Sequence, residues 1–114
     1  MKVIRHFTDA PKQELSVLLD DGTFFTMEVY FIPLQQGWFI NRLEYEGFIV
    51  RGIRICNSPN LLHQFRNLIP FGLACFSEDK REPLLQIDFS EGNNELYVLT
   101  ADEVDAYQEA VTNG

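Results

Sequence analysis

The stretch ELSVLLDDGTFFTMEVYF, residues 14–31, decides the fold. Two runs rich in aliphatic and aromatic side chains, 14–19 and 23–31, flank Asp20-Asp21-Gly22. Asp-Gly tolerates the positive φ angles of a type I′ turn, whose twist matches that of the strands it joins, so the stretch predicts a β-hairpin. A second hairpin follows: WFINRLEY (38–45) and FIVRGIRI (48–55) flank Glu46-Gly47, although Glu is a poorer first turn residue than Asp or Asn. In its second half the apolar positions change phase. Phe48 and Val50 share one face, Ile53 and Ile55 the other, and a bulge at Gly52 between them would reconcile the two.

Beyond the hairpins the pattern changes. Asn57-Ser58-Pro59 offers a capping serine ahead of a proline at a first helical position. Leu61, Leu62, Phe65, Leu68 and Ile69 then fall at helical spacing before Pro70, which predicts a short amphipathic helix of about three turns packed on the sheet. GLACFS (72–77) reads as a buried strand, 78–83 as a loop, LLQIDF (84–89) as a further strand and ELYVL (95–99) as another. Thr100-Ala101-Asp102-Glu103 is a capping box, opening a last helix to about residue 111 with Val104, Tyr107 and Val111 on one face. Hairpins followed by short helices predict an α+β fold, mainly antiparallel β. The expected architecture is a small barrel or sandwich-like sheet of about six to eight strands with one short helix and a C-terminal helix. One domain over 1–114 is expected, with 1–9 as an N-terminal segment and 112–114 as a frayed tail.

The composition, 46% hydrophobic and 13% aromatic, can supply a real core. Ten phenylalanines in 114 residues is a heavy load for so small an interior, so some of that surface is expected to meet other subunits. The formal charge of -8 argues against a nucleic-acid groove or an anionic membrane, both of which need clustered Lys and Arg. Residues 1–77 hold seven acids and seven bases, so the whole net charge lies in the last third, read as a solvated acidic surface or as a face for a basic partner. Cys56 and Cys75 stand alone without a CxxC, and are expected to be free. MKVIRHFTDAPK lacks the apolar core of a secretory signal and no stretch approaches a membrane span, so a soluble product made in the cytoplasm is expected.

Catalytic patterns are missing. His6 and His63 have no metal-ligand spacing, no phosphate-cradling glycine loop or GxSxG elbow occurs, and the acids lie mainly in turns where a carboxyl ionises normally and makes a poor general acid. No catalytic residue, cofactor or metal is therefore expected. Phe24, Phe25, Tyr30, Phe31, Trp38 and Phe39 read first as core and second as subunit interface, since interfaces enrich Trp, Tyr, Phe and Arg. Trp38, Phe39, Arg51 and Arg54 are the candidate interface residues; for both arginines a paired, structural role is the alternative.

The order of these pieces resembles a family of small baseplate plug proteins of contractile-tailed bacteriophages. The resemblance is carried by Ala10-Pro11-Lys12-Gln13-Glu14-Leu15 running into Leu18-Leu19-Asp20-Asp21-Gly22, then Trp38-Phe39-Ile40, Gly47, Gly52 and Ile53. It continues through Asn60-Leu61-Leu62, Phe65, Leu68 and Gly72, and ends with Glu95-Leu96-Tyr97-Val98-Leu99-Thr100 leading into Asp102-Glu103-Val104. The chain departs from that pattern at Cys56-Asn57 and at Pro70. The resemblance implies a structural, non-enzymatic virion role in the tail baseplate, between tail tube and central hub or spike, helping to close the channel. It also implies other baseplate proteins as partners and a homo-oligomer in a symmetric ring; no stable nucleic-acid or membrane binding is expected, on the charge argument above. The alternative reading is a small β-barrel binding module for a peptide or small ligand, outside any virion.

Overall fold

The computed structural model describes residues 2–65 and 68–106. Its strands are β1 (Lys2–Val3), β2 (Lys12–Leu18), β3 (Phe24–Ile32), β4 (Gly37–Tyr45), β5 (Phe48–Arg54), β6 (Gly72–Phe76) and β7 (Glu95–Leu99). β2 to β5 form a four-stranded antiparallel meander in chain order, and a three-stranded antiparallel sheet runs β1-β7-β6. The inner faces of the two sheets share one apolar core, giving a sandwich and not a closed barrel. β1, which lies within the expected N-terminal segment, had no strand signal of its own because two residues are too few for a period.

Both expected hairpins form, with exchanged turn chemistry. In the first, Gly22 N–H donates to Leu19 O (3.1 Å) and Leu19 N–H to Thr23 O (2.7 Å). Gly22 has φ +88°, whereas Asp20 and Asp21 stay at negative φ, so the loop is a type I turn closed by a left-handed glycine and not the expected type I′. Asp21 decides this: its carboxylate accepts from Thr23 N–H (2.9 Å) and from the Thr23 hydroxyl, a local bond that fits the negative-φ conformation. The type I′ turn occurs instead in the second hairpin, where Glu46 (φ 49°) and Gly47 (φ 85°) are both left-handed.

The phase change in β5 is real, and Gly52 absorbs it with φ +74°. Yet the β4–β5 register does not slip, because Ile40↔Ile53 and Arg42↔Arg51 flank one unpaired residue on each strand, Asn41 and Gly52. The slip appears on the other side, where β3 meets β4 between Glu28 and Val29, leaving Asn41 as the extra residue. The whole edge of the sheet therefore changes phase together, keeping Leu43 and Val50 inward on one side of the bulge and Ile40 and Ile53 inward on the other.

Two expected elements are replaced. In place of an α-helix after Pro59, a 3₁₀ turn covers His63–Phe65, with residues 66 and 67 outside the described set. Tertiary bonding wins over helical propensity here. Ser58 bridges Cys75 on the free edge of β6, Leu61 N–H donates to Leu73 O (2.6 Å), and the buried Asn60 Oδ1 accepts from Leu62 N–H (3.0 Å) and Leu73 N–H (3.2 Å). Residues 84–89, expected as a strand, form turns. Asp88, fully buried, prevents extension: it accepts from Arg81 Nη2 (2.7 Å), Leu85 N–H (2.8 Å) and Asn93 Nδ2 (3.1 Å), curling the chain round its own carboxylate. The capping box forms as expected, with Thr100 N–H donating to Glu103 Oε1 (3.0 Å) and Glu103 N–H to Thr100 Oγ1 (3.2 Å). It opens helix α1, described over 101–106; Tyr107, Val111 and the tail lie outside the described residues.

Trp38 is wholly buried where these pieces meet. Its ring stands edge-on to Phe7 (4.9 Å between centroids) and tilted to Phe31 (5.4 Å), while Phe7 stacks on Phe89 (4.3 Å). The indole N–H donates to Leu85 O (3.3 Å), fastening the 84–91 turns to the sheet. At the other end Phe25 stacks on Phe71 (4.4 Å), with Tyr45 edge-on to Phe71 (5.3 Å).

Trp38→Ala should cost about 3–5 kcal/mol of folding stability, read as a lower urea midpoint at unchanged slope. For the first hairpin, hydrogen bonds from the Thr23 hydroxyl and N–H hold the Asp21 carboxyl below its ordinary value of 3.8. The loop's contribution is thus present above the unfolded value and lost as pH falls through the lowered one. An acid titration followed at the Thr23 amide should show its midpoint below 3.8.

Candidate interaction surface

The four-stranded sheet buries one face and leaves the other to solvent. Strand alternation puts Leu15, Val17, Phe25, Met27, Val29, Ile40, Leu43 and Val50 inward, and their neighbours therefore point out. Cross-strand register sorts these outward side chains into rows. One row runs Lys12, Tyr30, Phe39, Arg54, and the next Glu14, Glu28, Arg42, Arg51. Leu18 and Phe24 face each other at one corner, 63% and 60% exposed.

The first row is a cation–aromatic ladder. Lys12 Nζ sits 5.5 Å from the Tyr30 ring centre, and the Arg54 guanidinium 5.2 Å from that of Phe39. Arg54 Nη2 also donates to Gln36 O (3.0 Å) and Gln35 O (3.3 Å), holding the 3₁₀ turn Pro33–Gln35 that carries Leu34, 98% exposed. Glycine at 37 is needed for this seat, since a Cβ there would stand 2.6 Å from the guanidinium.

The second row places like charges opposite one another, Glu14 against Glu28 and Arg42 against Arg51. Such pairs destabilise a sheet. Arg42 is relieved by an ion pair with Glu44 on its own strand, whereas Arg51 points outward and exposed. With Lys12, Arg42, Arg51 and Arg54 against Glu14, Glu28 and Glu44, the face is close to neutral in a chain of charge -8. Three acids of the last third lie elsewhere: Glu78, Asp79 and Glu95 line a separate concavity with Phe76 and Tyr97 beside the three-stranded sheet.

Of the four expected interface residues, Phe39, Arg51 and Arg54 share this outer face, with Phe39 half-buried under the Arg54 guanidinium. Trp38 does not join them; it is the adjacent residue on β4, so alternation turns it into the core. The structural alternative considered for Arg54 describes its contacts to residues 35 and 36, while Arg51 has the character of a surface charge. Reading residue types alone missed Lys12, and placed Tyr30 only among the aromatics shared between core and interface. The signal was available in the hairpin turns, which fix Lys12 opposite Tyr30 and Phe39 opposite Arg54.

The two cysteines are free, as expected, and chemically quiet. Cys75 is buried in β6, and desolvation, with a smaller effect of the Glu82 carboxylate, pushes its thiol up to about 12. Cys56 is half-buried and raised by the same causes in the same order, opposed by Arg54. A thiol held protonated is a poor nucleophile at neutral pH. Among the described residues no three of His, Cys, Asp and Glu are grouped to hold a metal, and no helix is long and apolar enough to cross a membrane.

A family model described as the cyanophage baseplate Pam3 plug gp18 matches residues 1–102. No curated protein matches the chain.

Two outcomes are expected. Arg51→Glu, by putting an acid opposite Arg42, should raise the stability of the isolated protein by about 0.2–1 kcal/mol in urea melts. In alkylation at neutral pH, Cys75 should stay unmodified until the fold opens; modification in the folded protein at the rate of a free thiol would contradict its burial.

Proposed function

Because the chain belongs to the family of the cyanophage baseplate plug, a structural component of the virion's tail baseplate, we propose that it acts there as a non-catalytic plug contacting its neighbours through the outer face of the four-stranded sheet. The observation that carries this reading is the like-charged pair Arg42–Arg51. Arg42 already has Glu44 as its partner, so the second guanidinium directly opposite it, that of the exposed Arg51, gains nothing in a free-standing protein, whereas a partner carboxylate placed over Arg51 would neutralise it in a water-poor contact. The apolar corner Leu18/Phe24 and the fully exposed Leu34 frame the charges, an arrangement of anchors around a polar centre suited to a protein neighbour.

The finer reading places the plug between tail tube and central hub or spike, in a symmetric set of copies that helps close the tail channel. Support comes from the separation of charge across the molecule, a near-neutral face with unpaired arginine on one sheet and acids beside the other. Surfaces that differ in this way suit head-to-tail contacts, which close into rings when the rotation permits. Phe39, Arg51 and Arg54 are proposed as contact residues, with Lys12 and Tyr30 added by the ladder they share.

Purified protein mixed with tail-tube and hub proteins of the same phage should give a complex of fixed stoichiometry by light scattering. Arg51→Glu should weaken that complex by at least about tenfold in Kd, while the isolated variant melts no lower than the parent. A monomer indifferent to both partners would overturn the baseplate contact, and an unaffected Kd would remove Arg51 from it.

A further inference from the structure

A second surface lies on the flank of the sandwich, where the edge strand of each sheet runs past the other without pairing. A groove of about 640 Å³ separates β1 from β2, lined by Lys2, Val3, Ile4, Arg5 and His6 on one side and Ser16, Val17 and Leu18 on the other. The opposite flank is different, since Ser58 and Leu61 bond the free edge of β6.

The hydrogen-bond pattern identifies which backbone groups face the groove. Phe31 N–H donates to Pro11 O (2.8 Å) at one end of β2, and Leu19 N–H to Thr23 O (2.7 Å) at the other. An antiparallel ladder alternates, so Gln13, Leu15 and Val17 exchange bonds with β3, while Glu14, Ser16 and Leu18 turn their N–H and C=O outward. On the facing edge Ile4 N–H donates to Leu96 O (2.8 Å), so Val3, the residue before it in the ladder, turns its N–H and C=O toward the groove. Ile4, Val17 and Val98, each buried, form an apolar floor. The rim is basic: Lys2, Arg5 and His6 stand against Glu95, whose carboxylate already accepts from the Tyr97 hydroxyl (2.8 Å).

We propose that this groove is a strand-addition site for an extended, acidic segment of a partner protein. The segment bonds the outward groups of Ser16 and Leu18, sets alternate apolar residues on the Ile4–Val17–Val98 floor, and turns its acids toward Lys2, Arg5 and His6. Main-chain bonds supply affinity in such additions and the alternate side chains supply selectivity. Pro11, Lys12 and Glu14 blunt the first half of the β2 edge, but its second half, Ser16 to Leu18, carries no charge, and an open edge of that kind is a liability that folded proteins cover. The site goes beyond the plug role and does not depend on the outer sheet face, from which it is reached by a different element edge.

The test uses the isotope-labelled full chain and two short synthetic peptides of alternating Asp–Val and alternating Lys–Val. The acidic peptide should shift the amides of Val3, Ser16 and Leu18 and slow their solvent exchange, and should bind at least about tenfold tighter than the basic one. Ser16→Pro, which removes an edge N–H, should abolish binding, and Arg5→Glu, an exposed change that leaves the backbone intact, should reverse the charge preference. Equal binding of both peptides, shifts confined to the outer sheet face, or pairing of β2 with a second copy in place of either peptide would each overturn the proposal. Because no tail protein is present, these outcomes are independent of the mixing experiment with tube and hub.

Discussion

Burial of the Trp38 ring is the constraint on which most of the structure depends. It lies on β4, yet its neighbours come from the N-terminal segment (Phe7), the adjacent strand (Phe31) and the turns before β7 (Phe89, Leu85). Three sheet strands cannot cover four, and these residues supply the missing cover. The indole N–H, which would be costly to bury without an acceptor, finds one in the Leu85 carbonyl and so fixes where that turn docks. A polar cluster completes the fastening, with Asn94 Nδ2 donating to Arg81 O (2.8 Å) and Asn57 Oδ1 (3.2 Å) beside the buried Asp88.

Because aromatic packing closes the inner faces, the outer face of the four-stranded sheet is left free for other uses. Its charges are only partly satisfied within the isolated chain, where Arg42 has Glu28 opposite it and Glu44 beside it but other neighbours clash. Glu14 opposes Glu28 and Arg42 opposes Arg51, and Leu18, Phe24 and Leu34 lie in water. A component of a baseplate meets other baseplate proteins, so the free molecule can carry surfaces whose counterparts arrive only on assembly. The same logic covers the β2 edge, whose outward backbone groups and basic rim form half of a contact. The phase change at Asn41 and Gly52 belongs to this arrangement too. It bends the edge of the sheet while keeping apolar side chains inward on both sides, which places Arg51 and Arg54 on the same outer face despite their odd spacing.

The sequence by itself determined what is local. Both hairpins, the strands at 72–76 and 95–99 and the capping box were legible, because turn residues, apolar alternation and a reciprocal side-chain cap act over a few positions. Phe39, Arg51 and Arg54 were legible as surface candidates for the same reason, and the family was legible in the order of these pieces. Only the tertiary structure decided the rest. Residues after Pro59 have a helical pattern, but β6 offered them an open edge to bond; residues 84–89 have a strand pattern, but Asp88 had Arg81 and Asn93 to gather. Trp38 exchanged a place at the surface for the core once Phe7 and Phe89, 31 and 51 positions away in the chain, closed round it. The groove between β1 and β2 is of the same kind, since β1 becomes the edge of the second sheet only by pairing with β7 from the far end of the chain. Local signals are written in neighbouring residues, whereas these outcomes depend on which distant groups compete for the same hydrogen bonds and the same apolar space.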